Sequence, residues 1–238
     1  MNKVFILGLA LFAACAANAI PTLTGPTGGF ELPTADIAPS VVTVAVDQGT
    51  NQNHIVYPNS RLLLGFGKML EIGGKYEQVT QRDEDGSFKT DVWDVNAKVQ
   101  LVHIAGFKLA VGAVWGQMLN NNLGTIDHQG NGYAAATIHV GDIKLTANAG
   151  YSKDIDAGTK GWTGGLAAEK MLGERTALGA EYLCGDKTGV FGDVNPAKNH
   201  ADIYVTHAIS SSFSARVAIG GLGQDTSMYL GGAYRFTM

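Results

Sequence analysis

The sequence predicts an all-β protein: a transmembrane antiparallel up-and-down β-barrel of about twelve strands, with short periplasmic turns and longer external loops. Three observations point there. Apolar and polar residues alternate with period two in segment after segment of the chain after residue 40. The connections between those segments alternate short and long. The aromatic residues on the apolar faces gather at the two ends of the segments, and aliphatic residues fill the middle.

The chain opens with MNKVFILGLALFAACAANA, residues 1–19. Lys3 gives a positive start, Val4 to Ala14 an apolar core, and Ala17-Asn18-Ala19 a small-x-small cleavage site, the pattern of a secretory signal peptide. The apolar core is too short to span a bilayer as a stable helix. Phe12-Ala13-Ala14 before Cys15 is a poor lipidation site, so cleavage after Ala19 is the better reading. Removing residues 1–19 takes one Lys and no acid from a chain of formal net charge −4, leaving 16 basic and 21 acidic side chains. That balance excludes nucleic acid as an expected partner. Cys184 is the one cysteine beyond the signal, so the exported chain has no internal disulfide framework. The domain reading is a signal peptide over 1–19, a Gly/Pro segment over 20–39 and the barrel over 40–238.

Alternating segments follow at 69–79, 91–103, 107–118, 132–140, 143–152, 161–170, 176–184, 201–209, 213–220 and 227–237, preceded by two less regular ones at 41–48 and 60–67. Residues 91–101 show the logic most clearly. Trp93, Val95, Ala97, Val99 and Leu101 fall on one face, and Asp94, Asn96, Lys98 and Gln100 on the other. Short connections lie near 67–68, 104–106, 141–142, 172–175 and 210–212. Longer ones, rich in Asn, Asp and Gly, lie near 48–59, 80–90, 119–131, 153–160, 185–200 and 221–226. Strict alternation of this kind belongs to a meander rather than to a Greek-key sandwich. No run of 18 apolar residues follows the signal, which removes an ordinary transmembrane helix.

On the apolar faces Tyr76, Trp93, Trp115, Tyr151, Trp162 and Tyr182 fall near the long-loop end, and Phe66, Phe107, Phe213 and Phe236 near the tight-turn end. Two aromatic belts around an aliphatic band match the two interfaces of a bilayer, with outer-membrane lipid as the partner. A soluble sandwich would bury Trp in mid-strand. The opposite faces carry Arg61, Glu71, Lys75, Glu77, Asp94, Asn96, Lys98, Gln100, Lys144, Asn148, Glu169, Glu181, Arg216 and Arg235, the expected lining of a lumen. Counting Asp47, Asp202 and Lys108 as well, seven acids face seven bases. An open lumen would then be weakly ion-selective, and a closed one would hold ion pairs across it. Arg61, Arg216 and Arg235 would flank the closing seam with Glu169 and Glu181 opposite, giving a transverse field.

Residues 25–36, GPTGGFELPTAD, resemble the G-x-x-G-[LF]-x-x-P-[ST]-A stretch that opens some bacterial outer-membrane barrels, including the YjbH-like, exopolysaccharide-associated group. The match rests on Gly25, Gly28, Phe30, Pro33, Thr34 and Ala35, and covers about a twentieth of the chain. The resemblance implies an outer-membrane barrel and a link to surface polysaccharide, and it brings no catalytic residue. Residues 20–39 read as a Gly/Pro turn guiding the chain into the first strand, with a partial plug in the barrel mouth as the alternative. The last strand, ending Tyr234-Arg-Phe236-Thr-Met, resembles the signal read by the barrel-assembly machinery, with its aromatic two residues before the end.

The six histidines are scattered, and none stands at ligand spacing from Cys or another His, so no metal site and no cofactor are expected. The acidic stretches 83–86 and 186–193 lack an EF-hand pattern. His207 with Ser210, Ser211 and Ser212 is the nearest approach to a nucleophile and base, but no G-x-S-x-G elbow accompanies it and serines are ordinary in tight turns. The expected function is therefore not enzymatic. It is a narrow, weakly selective, porin-like channel for ions or small hydrophilic solutes. The alternative is a non-conducting barrel with a structural or surface-interaction role.

Overall fold

The computed structural model describes residues 20–21, 27–28, 31, 33–38, 41–50, 54–83, 86–121, 123–185, 199–222 and 226–237. Residues 1–19, which read as a signal peptide, the acidic stretch 186–193 and the pair Glu84-Asp85 lie outside the described residues. Two short strands, β1 (Ile20–Pro21) and β2 (Thr27–Gly28), pair with each other. The rest of the fold is one closed sheet of twelve strands: β3 (Val41–Thr50), β4 (His54–Phe66), β5 (Leu70–Asp83), β6 (Gly86–Ile104), β7 (Phe107–Asn120), β8 (Thr125–Val140), β9 (Ile143–Asp154), β10 (Lys160–Met171), β11 (Thr176–Gly185), β12 (His200–Ala208), β13 (Phe213–Leu222) and β14 (Ser227–Thr237). Each strand pairs antiparallel with the next in sequence, and β14 pairs with β3 to close the barrel.

The alternation decides which way each strand faces. In β6, Trp93, Val95, Ala97, Val99 and Leu101 are exposed while Asp94, Asn96, Lys98 and Gln100 are buried. The same division runs round the barrel and inverts the usual one. Thr43, Arg61, Glu71, Lys98, Thr137 and Asp202 are among the most deeply buried side chains, whereas Leu62, Ile72, Leu145, Leu166, Val217 and Leu230 lie on the outer surface. An apolar exterior around a polar interior is stable only where the outer solvent is itself apolar. No helix among the described residues is long and apolar enough to cross a membrane; the crossings are made by strands.

The tight turns sit where glycine permits them. Gly141, at the first position of the two-residue turn between β8 and β9, has φ of 62°, a backbone region that L side chains rarely adopt. Strand lengths differ from the sequence expectation at the other end. The β5–β6 ladder continues through Thr80↔Lys89 to Asp83↔Gly86, and β7–β8 through Leu119↔Ile126 to Asn120↔Thr125. Much of what reads as loop at 80–90 and 119–131 is therefore paired strand. Beyond the apolar zone neither face need be greasy, so the period-two signal fades while the hydrogen-bond ladder persists. The less regular pattern at 41–48 and 60–67 also has a cause. The register slips between Asp47 and Gly49 in β3–β4 and between Val56 and Ser60 in β4–β5, and Pro58, which has no N–H to give, falls within the second slip.

Candidate functional site

The lumen is the site, and its wall is a ring of paired charges. Lys98 in β6 stands opposite Glu71 in β5, Nζ to Oε1 3.2 Å, with both side chains fully buried. Four residues further along the same face, Lys75 lies 3.3 Å from Asp94 and 3.5 Å from Glu77. Lys144 in β9 meets Glu169 in β10 at 2.8 Å. Arg61 in β4 pairs with Asp47 in β3. Asn96, Gln100, Asn148, Glu181 and Arg235 also fall on inward-facing positions of their strands. These pairs run round the wall between neighbours rather than across the lumen.

Two contacts skip a strand, and glycine makes both possible. Asp47 in β3, Gly231 in β14 and Arg216 in β13 share one row of the sheet. With no side chain at Gly231, Asp47 passes over it and accepts two hydrogen bonds from Arg216, Nη2 to Oδ2 at 3.0 Å and Nε to Oδ1 at 3.3 Å. In the same way Tyr204 in β12 lies over Gly179 in β11 and donates to Glu169 Oε2 in β10 at 3.2 Å. A Cβ at either glycine would collide with the side chain passing over it. The arginine cluster spans β13 to β4 around the β14–β3 seam, and its distance from the two glutamates varies along it. Glu169 in β10 and Glu181 in β11 are six and five strands from Arg61 in β4, across the ring of twelve. From Arg216 in β13 they are only three and two strands away, so the β4 side of the cluster alone faces them.

A second layer lies inside this wall. Glu31 and residues 33–38 lie in the lumen and use the inward-facing side chains as hydrogen-bond partners. The N–H of Ala38 donates to Glu71 Oε2 at 2.9 Å, and that of Ala35 to Thr137 Oγ1 at 2.9 Å. Gln100 donates to the Ala35 carbonyl at 2.6 Å, Lys98 to that of Thr34 at 3.2 Å, and Asn148 to that of Pro33 at 3.2 Å. Asp36 sits among Lys108 (2.7 Å), His139 (3.5 Å) and Lys144 (3.8 Å). Burial pushes its carboxyl upward, but the hydrogen bond with His139 and the charges of Lys144 and Lys108 outweigh this and hold it well below the usual carboxylate range. At the far end, the N–H of Glu31 donates to Glu181 Oε2 at 2.8 Å, and its carboxylate lies 3.2 Å from His200 Nε2. Lys108, His139 and Lys144 adjoin tight turns, and His200 opens β12 at the other rim, so the segment climbs the lumen from the turn end towards the loop end.

The period-two pattern marks which strand positions face inward but not these contacts, because a partner 33 to 169 residues away leaves no local periodicity. Thr137 and Tyr204 went unremarked for the same reason, and His139 and His200 read only as two of six scattered histidines. A small pocket of about 20 Å³ is bordered by Lys75, Asp94, Val114, Gly116, Gln117 and Gln129.

Outside, the loop-end aromatics form contacts of their own. Trp93 and Trp115 meet edge to face at 5.5 Å, as do Tyr151 and Trp162 at 5.2 Å. Tyr76 donates to Asp91 at 3.0 Å, and Tyr182 is exposed on β11. At the turn end Phe66, Phe213 and Phe236 are exposed and Phe107 is half-buried; Tyr234, 4.7 Å from Phe236, joins them. His207 shares a hydrogen bond with Thr176, and the Ser210 hydroxyl accepts the N–H groups of Ser212 and Phe213, closing its turn.

A closed twelve-stranded antiparallel barrel with a polar lumen and a lipid-compatible exterior defines the class: an outer-membrane channel fold. Among solved structures the chain is similar to KdgM porin, with TM-score 0.63, 11% identity, and 82% of this chain covering 99% of that one. KdgM porin has also been solved in complex with disordered oligogalacturonate. The COG4313 outer membrane channel from Pseudomonas putida F1 matches with TM-score 0.61 and 11% identity, over 86% of this chain and 97% of that one. NanC porin matches with TM-score 0.58 and 9% identity, over 82% of this chain and all of that one. No family model and no curated protein sequence matches.

Proposed function

We propose that this protein is an outer-membrane diffusion channel for ions or small hydrophilic solutes, with residues 31–38 as a resident plug. The observation that carries the reading is the interior. A barrel that only had to stand in a membrane gains nothing from burying Lys98, Glu71, Arg61 and Asp202, since buried pairs are weak contributors to stability. A hydrated path needs such a lining. The wall offers acids and bases already matched to each other, which favours small or neutral polar solutes over polyanions, and a sugar-sized solute is the class to try first.

The test is single-channel recording of the refolded protein in planar bilayers. The expected result is discrete steps with near-equal permeability to small cations and anions. Conductance should be larger for a form beginning at Ser40, which lacks the plug. Arg216→Gln with Arg235→Gln should tilt permeability towards cations, less so at 1 M salt, where charges are screened beyond about 3 Å. Silent bilayers from both forms, with insertion verified, reject the channel. The ion-paired wall and seated segment would then favour a second reading, a non-conducting barrel whose role lies in its loops. The resemblance of residues 25–36 to exopolysaccharide-associated barrels makes a surface polysaccharide the partner to test in that case.

A further inference from the structure

At the loop-end rim, Glu31 of the luminal segment meets His200 and Asp202 of β12, and one ligand atom from each lies within 4.8 Å of the others. His200 Nε2 is 3.2 Å from Glu31 Oε2 and 3.6 Å from Asp202 Oδ2. Four-coordinate zinc sites hold nitrogen and carboxylate oxygen at about 2.0–2.2 Å, which sets neighbouring ligand atoms about 3.3–3.6 Å apart. The two separations lie close to that spacing, one just below its lower limit and one at its upper limit.

An independent observation points into the same space. Asp202 is fully buried, and its Oδ1 accepts the N–H of Gly221 at 2.8 Å, but its Oδ2, the oxygen facing His200, has no hydrogen-bond partner. A buried carboxylate oxygen left without a donor is costly. His200 does not relieve it, since its Nε2 is within hydrogen-bond reach of Glu31 and beyond that reach from Asp202. Glu31, Glu181 and Asp202 bring three carboxylates to this corner of the lumen, beside His200 and the guanidinium of Arg216 on the adjoining strand, which also bonds Asp47. A dication placed between Glu31, His200 and Asp202 would satisfy the Asp202 oxygen.

We propose that Glu31, His200 and Asp202 form a site for a divalent transition-metal ion, of which zinc is the best fit, and that the ion fastens the outer end of the luminal segment to β12. One imidazole nitrogen with two carboxylates suits zinc and its first-row neighbours rather than calcium or magnesium, which favour all-oxygen shells. Two of the ligands belong to the wall and one to the segment, so binding favours the seated arrangement by mass action. The fastening rests on the reading of residues 31–38 as a plug, but zinc binding itself does not depend on conduction.

The experiment is calorimetric titration of zinc into the protein purified from outer membranes in detergent, beside Asp202→Asn, Glu31→Gln and a His128→Ala control. One zinc per chain is expected for the wild type and the control. Both ligand variants should weaken binding by more than the roughly 10–100-fold that even an outer-shell change costs at metal sites. Glu31→Gln lies outside the barrel wall, so it remains informative if Asp202→Asn fails to fold. Amide exchange at Glu31, Ala35 and Ala38 should slow about 10-fold or more with saturating zinc in the wild type alone. Absence of one-to-one binding, or equal affinity in Glu31→Gln, overturns the site. Zinc binding without slower exchange overturns the fastening. Silent bilayers with intact zinc binding would reject the channel and leave the site standing.

Discussion

Asp36→Asn asks how firmly the luminal segment is held. The side chain keeps its shape but loses its charge among Lys108 at 2.7 Å, His139 at 3.5 Å and Lys144 at 3.8 Å. Lys144 retains Glu169, so the change falls mainly on Lys108. A hydrogen bond between charged groups contributes about 1.5–3 kcal/mol and a neutral one about 1 kcal/mol. Exchanging the first for a half-charged bond, with the weaker attraction of Lys144 and the contact with His139 lost as well, should cost about 2–3 kcal/mol at a site with Asp36 and Lys108 side-chain exposures of 16% and 18%. At about 1.4 kcal/mol per tenfold, the ratio of seated to unseated segment falls about 30- to 150-fold. The assay is the labelling rate of a thiol introduced as Thr34→Cys, with Cys184→Ser removing the native one. Thr34 is 1% exposed, so labelling reports unseating. An unchanged rate on adding Asp36→Asn would refute the idea that this cluster anchors the segment.

Other outcomes follow from the same geometry. Because the Asp36 carboxyl is held below its ordinary value of 3.8, its contribution is complete above that value and is lost only as pH falls through the lowered one. Thr34→Cys labelling, taken relative to the same thiol in the unfolded chain at each pH to remove the thiolate's own pH dependence, should therefore stay flat from neutral pH down to about pH 5 and rise only in stronger acid; a rise centred near pH 6 would assign the anchor to a histidine instead. Gly231→Val puts a side chain where Asp47 crosses to Arg216, and should destabilise the barrel by about 3–5 kcal/mol in denaturant titrations with folded fraction followed by gel mobility of unboiled samples. Stability equal to wild type would show the seam pair to be dispensable. Val95→Arg should cost about 2–4 kcal/mol near the bilayer midplane, and a thiol at Val95 should be quenched by lipid-borne probes after fluorescent labelling. Absence of quenching would take β6 out of the lipid.

The fold was legible wherever one face of a strand had to be greasy. Residues 91–101 display both faces in their spelling, and Gly141 marks its turn, because lipid on one side and water on the other impose a period that each residue obeys locally. The extensions of β5, β6, β7 and β8 beyond that zone were illegible, since backbone pairing there asks nothing of side-chain polarity. The lining residues could be named one by one for the same reason as the strands. Their partners could not. Nothing near Asp47 signals that it skips past Gly231 to Arg216, and nothing near Ala35 signals Thr137 or Gln100. The periodicity that exposes a face carries no information about which faces meet.

The carbonyls of Pro33, Thr34 and Ala35 occupy Asn148, Lys98 and Gln100. Those three donors are the ones a hydroxyl-rich solute would need at the same level of the lumen. The segment is thus an internal competitor, covalently supplied at one copy per barrel and never diluted. Any affinity measured on the intact chain is the intrinsic affinity scaled by the fraction of barrels in which the donors are vacant. With about one barrel in a hundred vacant, a solute of micromolar intrinsic affinity would register near a tenth of a millimolar. A ligand screen on the intact protein would pass over its own best solute, and the same screen on the form beginning at Ser40 would find it.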